Sequence, residues 1–353
     1  MKLIKLEALR GFAALYVVLH HSLPHYWVLA GVNIGGLLRF GQEAVILFFL
    51  LSGFVINYAF ETGKDKTFRS YFLKRFSRIY LPLTLIMLLG YLIVCARAGN
   101  FVDPELSNLG LNLLMLQDIG SLKPNTIVEP YLHNAPLWSL SYEWWFYMLF
   151  FPVCTYFKTE KAQSGFVFGL AIISAVAYVI HPNFVFRLLM YVGIWWAGVY
   201  LSRHYLRGLP MDFKALKRPI LCLLAVCLIL FAKVLAFISS GENASIGISP
   251  FLELRHVAFA LSMIIAAILW NKYGWVGFNY TLKPFAKLAP ISYVIYISHY
   301  YLVTDASYLS FIGNDYFEWL GYLVCLLVFS YTLEVILYPL LQRKFLKATM
   351  RQA

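Results

Sequence analysis

Arg10 and His21 stand eleven positions apart in the apolar stretch LEALRGFAALYVVLHHS. A rise of 1.5 Å per residue separates them by about 16 Å along a helix, which is roughly half the hydrocarbon thickness of a membrane. Eleven residues are also about three helical turns, so the two side chains share one face and can point into the same cavity. His20 points about 100° away from that face.

His21 is a candidate general base. A neutral imidazole in an apolar site can take a proton from a hydroxyl group near neutral pH. A basic or titratable side chain inside hydrocarbon is costly unless it is paired, hydrated or used, which favours a functional interpretation of this helix. The alternative is a histidine that packs between helices through a hydrogen bond.

Three more charged residues occur inside or beside apolar segments. Arg75 and Arg78 lie three positions apart in FRSYFLKRFSRIYLP, and two guanidinium groups on one helix face can hold phosphates bidentately. Binding of anionic lipid is the alternative interpretation of this pair. Glu143 lies in the aromatic segment PLWSLSYEWWFY, where an unpaired carboxylate is costly, so it is expected to be protonated or matched to a base.

The composition indicates whether this chain lies in water or in a lipid bilayer. Of its 353 residues, 61% are hydrophobic, 18% aromatic and only 13% charged, and the mean hydropathy is +0.70. Such values are far from the soluble average and predict a protein of the bilayer. The net charge of +12 comes from basic residues between apolar runs, as the positive-inside bias predicts, so it does not indicate a nucleic-acid partner.

The fold class follows from runs of about 20 apolar residues. We predict an all-α integral membrane bundle of about ten transmembrane helices, formed by residues 9–29, 41–60, 79–97, 134–157, 164–180, 184–201, 219–238, 253–270, 289–306 and 317–340. An even number puts both termini on one side, and the Lys/Arg bias assigns that side to the cytoplasm. A cleaved signal peptide is the alternative for residues 1–30, but two histidines in the apolar region and the lack of a clean cleavage site argue against it.

The chain is predicted to form a single transmembrane domain over residues 1–353, without an appended extracytoplasmic domain. The five cysteines all fall in or beside apolar runs and show no metal-ligand spacing: Cys95, Cys154, Cys222, Cys227 and Cys325. They are interpreted as small buried hydrophobic residues, and no metal site is predicted.

Five motifs together carry a resemblance to a known family. They are Arg10-Gly11 followed by His21, FFLLSGF around Ser52, Arg75-x-x-Arg78-Ile-Tyr, WSLSYEWWFY around Glu143, and SYVIYISH, which ends at His299. In this order the sequence resembles membrane acyltransferase family three, the bacterial O-acyltransferases of surface polysaccharides and related acceptors. The resemblance runs from residue 10 to residue 299 and so covers most of the chain.

The resemblance implies transfer of an acyl group, usually acetyl, from cytoplasmic acyl-coenzyme A to a sugar hydroxyl. It implies that Arg10 and His21 form the family's essential arginine–histidine motif and that Glu143 falls on its glutamate. The acceptor is then a carbohydrate or a lipid-linked carbohydrate, the location is the bacterial inner membrane, and acyl-coenzyme A is a substrate rather than a permanently bound cofactor.

Elementary chemistry assigns the same residues compatible roles. His21 would be the base, and Arg10, Arg75 and Arg78 would hold the phosphates of coenzyme A. Glu143 would hold the His21 imidazole in one tautomer or pair with a buried arginine, and the sequence leaves both open.

The remaining candidate site residues are three serines and a second histidine. A covalent acyl intermediate is conceivable on Ser52, Ser139 or Ser141, but no spacing pairs a serine with His21, so direct transfer is favoured. His299 lies inside the ninth predicted span and is a candidate to line the site. The oligomeric state and the acceptor hydroxyl stay open.

Two other classes of protein fit part of the pattern. A transporter or flippase of a lipid-linked sugar would also have ten spans and intramembrane charges such as Arg187, Arg255 and Glu143, but it should show broken helices in two inverted halves, and the sequence has no such repeat. A structural partner in a polysaccharide complex explains the aromatic content, but it leaves the titratable face of the first helix without a purpose.

Overall fold

A computed structural model describes residues 3–23, 28–29, 31–241 and 245–350 of the chain. Helices make up most of it: α1 Ile4–Ser22, α2 Gly41–Thr62, α3 Phe68–Ala98, α4 Leu106–Leu113, α5 Trp138–Tyr156, α6 Glu160–Ile180, α7 Phe184–Leu206, α8 Lys217–Ser239, α9 Phe251–Lys272, α10 Phe278–Thr281, α11 Ser292–His299, α12 Asp315–Tyr331 and α13 Tyr338–Met350. A small antiparallel hairpin pairs strands β1 Val28–Leu29 and β2 Val32–Asn33.

The predicted all-α membrane fold is confirmed. Within the described part of the chain, seven helical segments are long and apolar enough to cross a membrane: α2, α3, α6, α7, α8, α9 and the segment Asp315–Lys347. The other three predicted spans fall on α1, on α5 and on the helical segment around α11, while residues 24–27 of the span 9–29 lie outside the described residues. Ten crossings and cytoplasmic termini therefore stay predictions.

Side-chain caps mark where several helices begin. The hydroxyls of Thr67 and Thr159 accept hydrogen bonds from the backbone N–H groups at the starts of α3 and α6. The side chains of Asn183 and Asn314 do the same for α7 and α12. Each cap satisfies donors that have no partner within the helix, so these short polar residues separate consecutive helices.

The centre of the bundle is the contact between α2 and α7. Gly53 on α2 faces the backbone carbonyl of Trp195, and Gly198 on α7 faces the backbone carbonyl of Leu50. A Cβ atom at either glycine would collide with the opposing backbone, so the two helices approach as closely as small residues allow. Gly53 and Gly198 therefore form a small-residue packing face between the two helices.

Two of the predicted spans change their winding along their length. A 3₁₀ segment, Lys283–Ile291, leads into α11, and a π-helical turn, Tyr300–Thr304, follows it. A second π-helical turn, Thr332–Leu337, joins α12 to α13. Such turns are rare and occur often at functional sites, where they re-aim side chains along the helix.

Candidate active site

A polar cavity of about 130 Å³ lies where α1, α2, α3, α5 and α11 meet. It collects three guanidinium groups and a carboxylate from segments that are far apart in the sequence. Its polar lining residues are Arg10, Ser52, Arg75, Arg78, Ser139, Glu143, Tyr147, Ser292, Tyr293 and Tyr296. The excess of positive charge in this lining would attract an anion into the cavity.

The guanidinium groups of the three arginines differ in the interactions that they make with other protein groups. Arg10 donates a long hydrogen bond to Ser292 Oγ, at 3.4 Å. The guanidinium of Arg75 lies 5.5 Å from the ring centroid of Tyr71, and its buried Nε has no hydrogen-bond partner among the described residues. Arg78 instead forms a salt bridge with Glu334, which lies on the second π-helical turn.

Glu143 is bound by hydroxyl groups. Ser52 Oγ donates to its carboxylate at 2.8 Å, and the Tyr147 hydroxyl donates to the same oxygen. Trp195 Nε1 in turn donates to Ser52 Oγ at 3.2 Å, so the central α2–α7 contact holds the serine in place. Among the described contacts, the carboxylate therefore bonds to neither of the partners predicted for it, the His21 imidazole or an arginine.

His21 forms a pair with His299. The His21 Nδ1 atom lies 2.8 Å from His299 Nε2, and the two nearly parallel rings meet edge to edge, with centroids 5.1 Å apart. His299 is fully buried, and its Nδ1 lies 2.7 Å from the backbone oxygen of Tyr296. His21 stands in the last turn of α1 with its side chain exposed.

Arg10 and His21 thus lie at two different positions along α1, and only one of them lines the cavity. Arg10 lines the polar cavity, and His21 is absent from the described residues that line it. Tyr296 links the two positions, because its side chain lines the cavity and bonds to Ser139 at 2.9 Å while its backbone carbonyl binds His299.

The other predicted candidates are placed as follows. Ser52 and Ser139 line the cavity, whereas Ser141 donates to the backbone oxygens of Gln117 and Trp138. The ring of His20 lies 4.7 Å from that of His21, and its Nδ1 contacts the backbone oxygen of Leu38. Ser141 and His20 therefore make backbone contacts that hold helix ends and loops together.

Sequence reasoning missed several residues that bind site residues directly, among them Tyr147 and Glu334, which bind Glu143 and Arg78. Tyr147 stands four positions after Glu143 on α5, and that helical spacing is a readable signal. Glu334 lies 256 positions from Arg78. Its only signal is that it is a carboxylate inside an apolar span, which must find a partner.

A buried ionic cluster ties the segment between α3 and α5 to the bundle. Asp118 accepts hydrogen bonds from Lys123 at 2.7 Å, from Arg187 at 2.8 Å and from Tyr142 at 2.5 Å. The side chains of Asp118, Lys123 and Arg187 are wholly buried. Burial opposes ionisation of Asp118, but the two adjacent cations keep its pKa below the ordinary value. Burial also lowers the pKa of Lys123 to about 8, although the negative charge of Asp118 acts to raise it.

Two intramembrane arginines that a transporter could use are paired with carboxylates. Arg187 binds Asp118, and Arg255 forms a salt bridge with Glu43. All five cysteines are free, and the described residues contain no group of three or more His, Cys, Asp and Glu that could hold a metal ion.

A larger groove of about 880 Å³ lies between α1, α2 and α9. Hydrophobic side chains form nearly all of its lining, with Lys5 and Glu43 as the charged exceptions. Acid–base chemistry and phosphate binding need polar groups, so the smaller cavity is the candidate site despite its size.

These features define a class: a helical membrane protein with an internal, arginine-lined cavity and a histidine pair beside it. The profile of the acyltransferase 3 family, described as an acyltransferase domain, matches residues 3–339. The chain belongs to this family of membrane acyltransferases.

A more specific likeness covers part of the chain. The acyltransferase MdmB of Streptomyces mycarofaciens is 33% identical over 160 residues, a stretch that covers 42% of this chain and 38% of that relative. The matched region thus spans well under half of either protein. No solved structure matches this chain.

Proposed function

We propose that the protein is an O-acyltransferase that moves an acyl group, most simply acetyl, from acyl-coenzyme A to a hydroxyl group of a carbohydrate. The observation that carries the proposal is the convergence of Arg10, Arg75 and Arg78 on one cavity beside the His21–His299 pair. Family membership supplies the reaction type, and this charge pattern supports the donor.

The arginines would bind the phosphates of the donor. Guanidinium groups bind phosphate bidentately, and Arg75 has a buried donor atom that no described protein group uses. Arg78 would exchange its contact with Glu334 for phosphate. Small-molecule sites commonly measure roughly 300–1,000 Å³, so a cavity of about 130 Å³ admits one arm of the donor rather than the whole molecule.

His21 would be the general base. Its Nε2 takes the proton of the acceptor hydroxyl while the hydroxyl oxygen attacks the thioester carbonyl carbon. A C–O bond forms, the C–S bond breaks, and coenzyme A leaves as a thiol with the proton that His21 returns. Ser52 already donates to Glu143, and no described contact joins a serine to His21, which supports direct transfer over a covalent acyl-enzyme.

The acceptor is proposed to be a surface polysaccharide or its lipid-linked precursor, and the location the bacterial inner membrane. With Arg10 at the cytoplasmic edge, His21 stands about 16 Å deeper by helix rise. A donor anchored at the arginines would extend its pantetheine arm toward His21, and the sugar would enter from the opposite face. One helical bundle would then carry out transfer across the membrane.

The test uses purified protein and, in turn, labelled acetyl-, propionyl- and succinyl-coenzyme A with a panel of surface oligosaccharides. We expect label in a sugar ester and release of free coenzyme A, with acetyl transferred fastest. Release of coenzyme A without any labelled sugar would argue against a carbohydrate acceptor. Failure to consume any acyl-coenzyme A would overturn the proposal.

Sealed vesicles of known orientation test sidedness. Acetyl-coenzyme A is supplied only on the predicted cytoplasmic face and a membrane-impermeant acceptor only on the other. Labelled acceptor supports transfer through the membrane, whereas labelling only with both substrates on the cytoplasmic face refutes it.

A further inference from the structure

The hydrogen-bond contacts of the His21–His299 pair determine which ring nitrogens carry hydrogen. His299 Nδ1 lies 2.7 Å from the backbone oxygen of Tyr296, and His299 Nε2 lies 2.8 Å from His21 Nδ1. A carbonyl oxygen can only accept a hydrogen bond, so His299 Nδ1 must carry a hydrogen. A neutral imidazole has one N–H group, which leaves Nε2 of His299 as an acceptor.

The hydrogen bond to His299 also determines the tautomer of His21. Because His299 Nε2 accepts, His21 Nδ1 must be the donor in the neutral pair. The single hydrogen of neutral His21 is therefore on Nδ1, and its lone pair is on Nε2. A backbone carbonyl three residues from His299 thus determines which nitrogen of His21 is basic.

We infer that His299 is a positioning residue that holds His21 in the Nδ1–H tautomer and so presents Nε2 as the base. The inference rests on the proposed function, in which His21 deprotonates the acceptor. His299 does not need to touch either substrate. The nearly parallel ring planes, 13° apart, and the complete burial of His299 give the acceptor nitrogen a fixed position.

This arrangement also stabilises the charged intermediate. When His21 Nε2 receives the hydroxyl proton, the imidazolium keeps its Nδ1–H donor aimed at His299. A hydrogen bond from a charged donor is roughly twice as strong as a neutral one. The pair therefore favours proton transfer to His21 without moving a second proton.

Two substitutions separate positioning from packing. In His299→Gln, the side-chain amide reaches the place of Nε2, and its oxygen can accept from His21. In His299→Asn, the shorter amide can still donate to the Tyr296 carbonyl, but nothing occupies the acceptor position. We expect kcat of the Asn variant to fall by about 10²–10⁴-fold, the range for loss of general-base help, and the Gln variant to recover a large part of it.

The donor KM should stay unchanged in both variants, because His299 does not line the cavity that holds the arginines. Adding His299→Asn to His21→Ala should cause no further loss, since the residue acts through His21. Equal losses in the Gln and Asn variants, a raised donor KM, or additive losses in the double variant would overturn the inference.

A spectroscopic measurement tests the tautomer without turnover. Nitrogen-15 NMR of histidine-labelled protein, with the His21 signal assigned from the His21→Ala variant, should show hydrogen on Nδ1 in the wild type and on Nε2 in His299→Asn. The Nε2–H tautomer in the wild type would refute the inference even if acyl transfer is observed. Failure of acyl transfer with the Nδ1–H tautomer intact would instead count against the proposed function.

Discussion

At the scale of single residues, the two adjacent histidines are expected to differ sharply. His21→Ala removes the proposed base and should lower kcat by about 10²–10⁴-fold. His20 makes its described contact with the backbone oxygen of Leu38, so His20→Ala should retain most of the turnover. Acyl transfer by both variants, normalised to the amount of folded protein, measures the difference. Equal losses would contradict the assignment of the base to His21.

The arginines of α3 offer a second test at this scale. Arg75→Gln should raise the donor KM by tenfold or more, since a hydrogen bond to a charged group contributes about 1.5–3 kcal/mol. Turnover at saturating donor should change little, because phosphate contacts are remote from the reacting bond. Arg78→Gln should act in the same direction, with lower stability because Glu334 loses its partner.

Arg97 is the matched control for these variants. It lies on the same helix but pairs with Asp305 away from the cavity. Arg97→Gln should leave the donor KM unchanged. If Arg75→Gln leaves the donor KM unchanged as well, the basic residues of α3 contact lipid instead.

At the scale of helices, the spacing of α2 and α7 determines the geometry around Glu143. Gly53→Ala would drive a Cβ atom into the Trp195 carbonyl, and the helices would have to separate. We expect a loss of about 1–3 kcal/mol in unfolding free energy, typical of overpacking. Activity should fall too, because the Trp195–Ser52–Glu143 contacts cross this interface.

Gly169→Ala on α6 is the control, since no atom lies within 4 Å of the added Cβ. Alanine favours helix more than glycine does, so this variant should be neutral or slightly more stable. Thermal unfolding in detergent compares the two. A Gly53→Ala protein as stable as Gly169→Ala would show that the interface tolerates separation.

Three of the helices that carry the site do not stand out as membrane spans by length and composition. His21, Glu143 and His299 lie on α1, α5 and α11, and none of these helices is among the seven long apolar segments. Site chemistry requires polar residues, and these residues reduce the signal by which a span is recognised. Runs of apolar residues still predicted the three spans, and motifs indicated the site residues on them: Arg10 and His21 on one face, the aromatic run around Glu143, and SYVIYISH.

Contacts between distant residues were beyond sequence reasoning. The His21–His299 bond spans 278 positions and the Arg78–Glu334 bond spans 256. Periodicity within one helix assigns a face to each residue but does not identify which helix lies opposite. For that reason the arginine cluster could be predicted as a set, whereas the partners of Glu143 and His21 could not.

At the scale of the whole molecule, the buried Asp118 cluster should dominate stability. Asp118→Asn leaves Lys123 and Arg187 as buried cations without their carboxylate, which should cost about 3–5 kcal/mol. Asp305→Asn breaks an ion pair whose side chains are 39% and 45% exposed, and such pairs contribute at most about 1 kcal/mol. Thermal unfolding of both variants makes the comparison.

A compensating variant sharpens this test. Adding Lys123→Met to Asp118→Asn removes one of the two buried cations that lost their carboxylate, and it should restore part of the lost stability. A double variant no more stable than Asp118→Asn would show that the loss has another origin than uncompensated charge.

The Asp118 cluster also limits where a fusion partner can be inserted into the chain for imaging by electron microscopy. The stretch between α4 and α5 is the longest connection between the described helices and would be a natural place to insert a rigid fusion partner as a size marker. Because Asp118 and Lys123 anchor it inside the bundle, an insertion there would pull on buried charges. The turn at Gly208–Pro210 is exposed, and Gly208 adopts a positive φ of 63°. Exposed turns tolerate insertions, so the fusion belongs between α7 and α8.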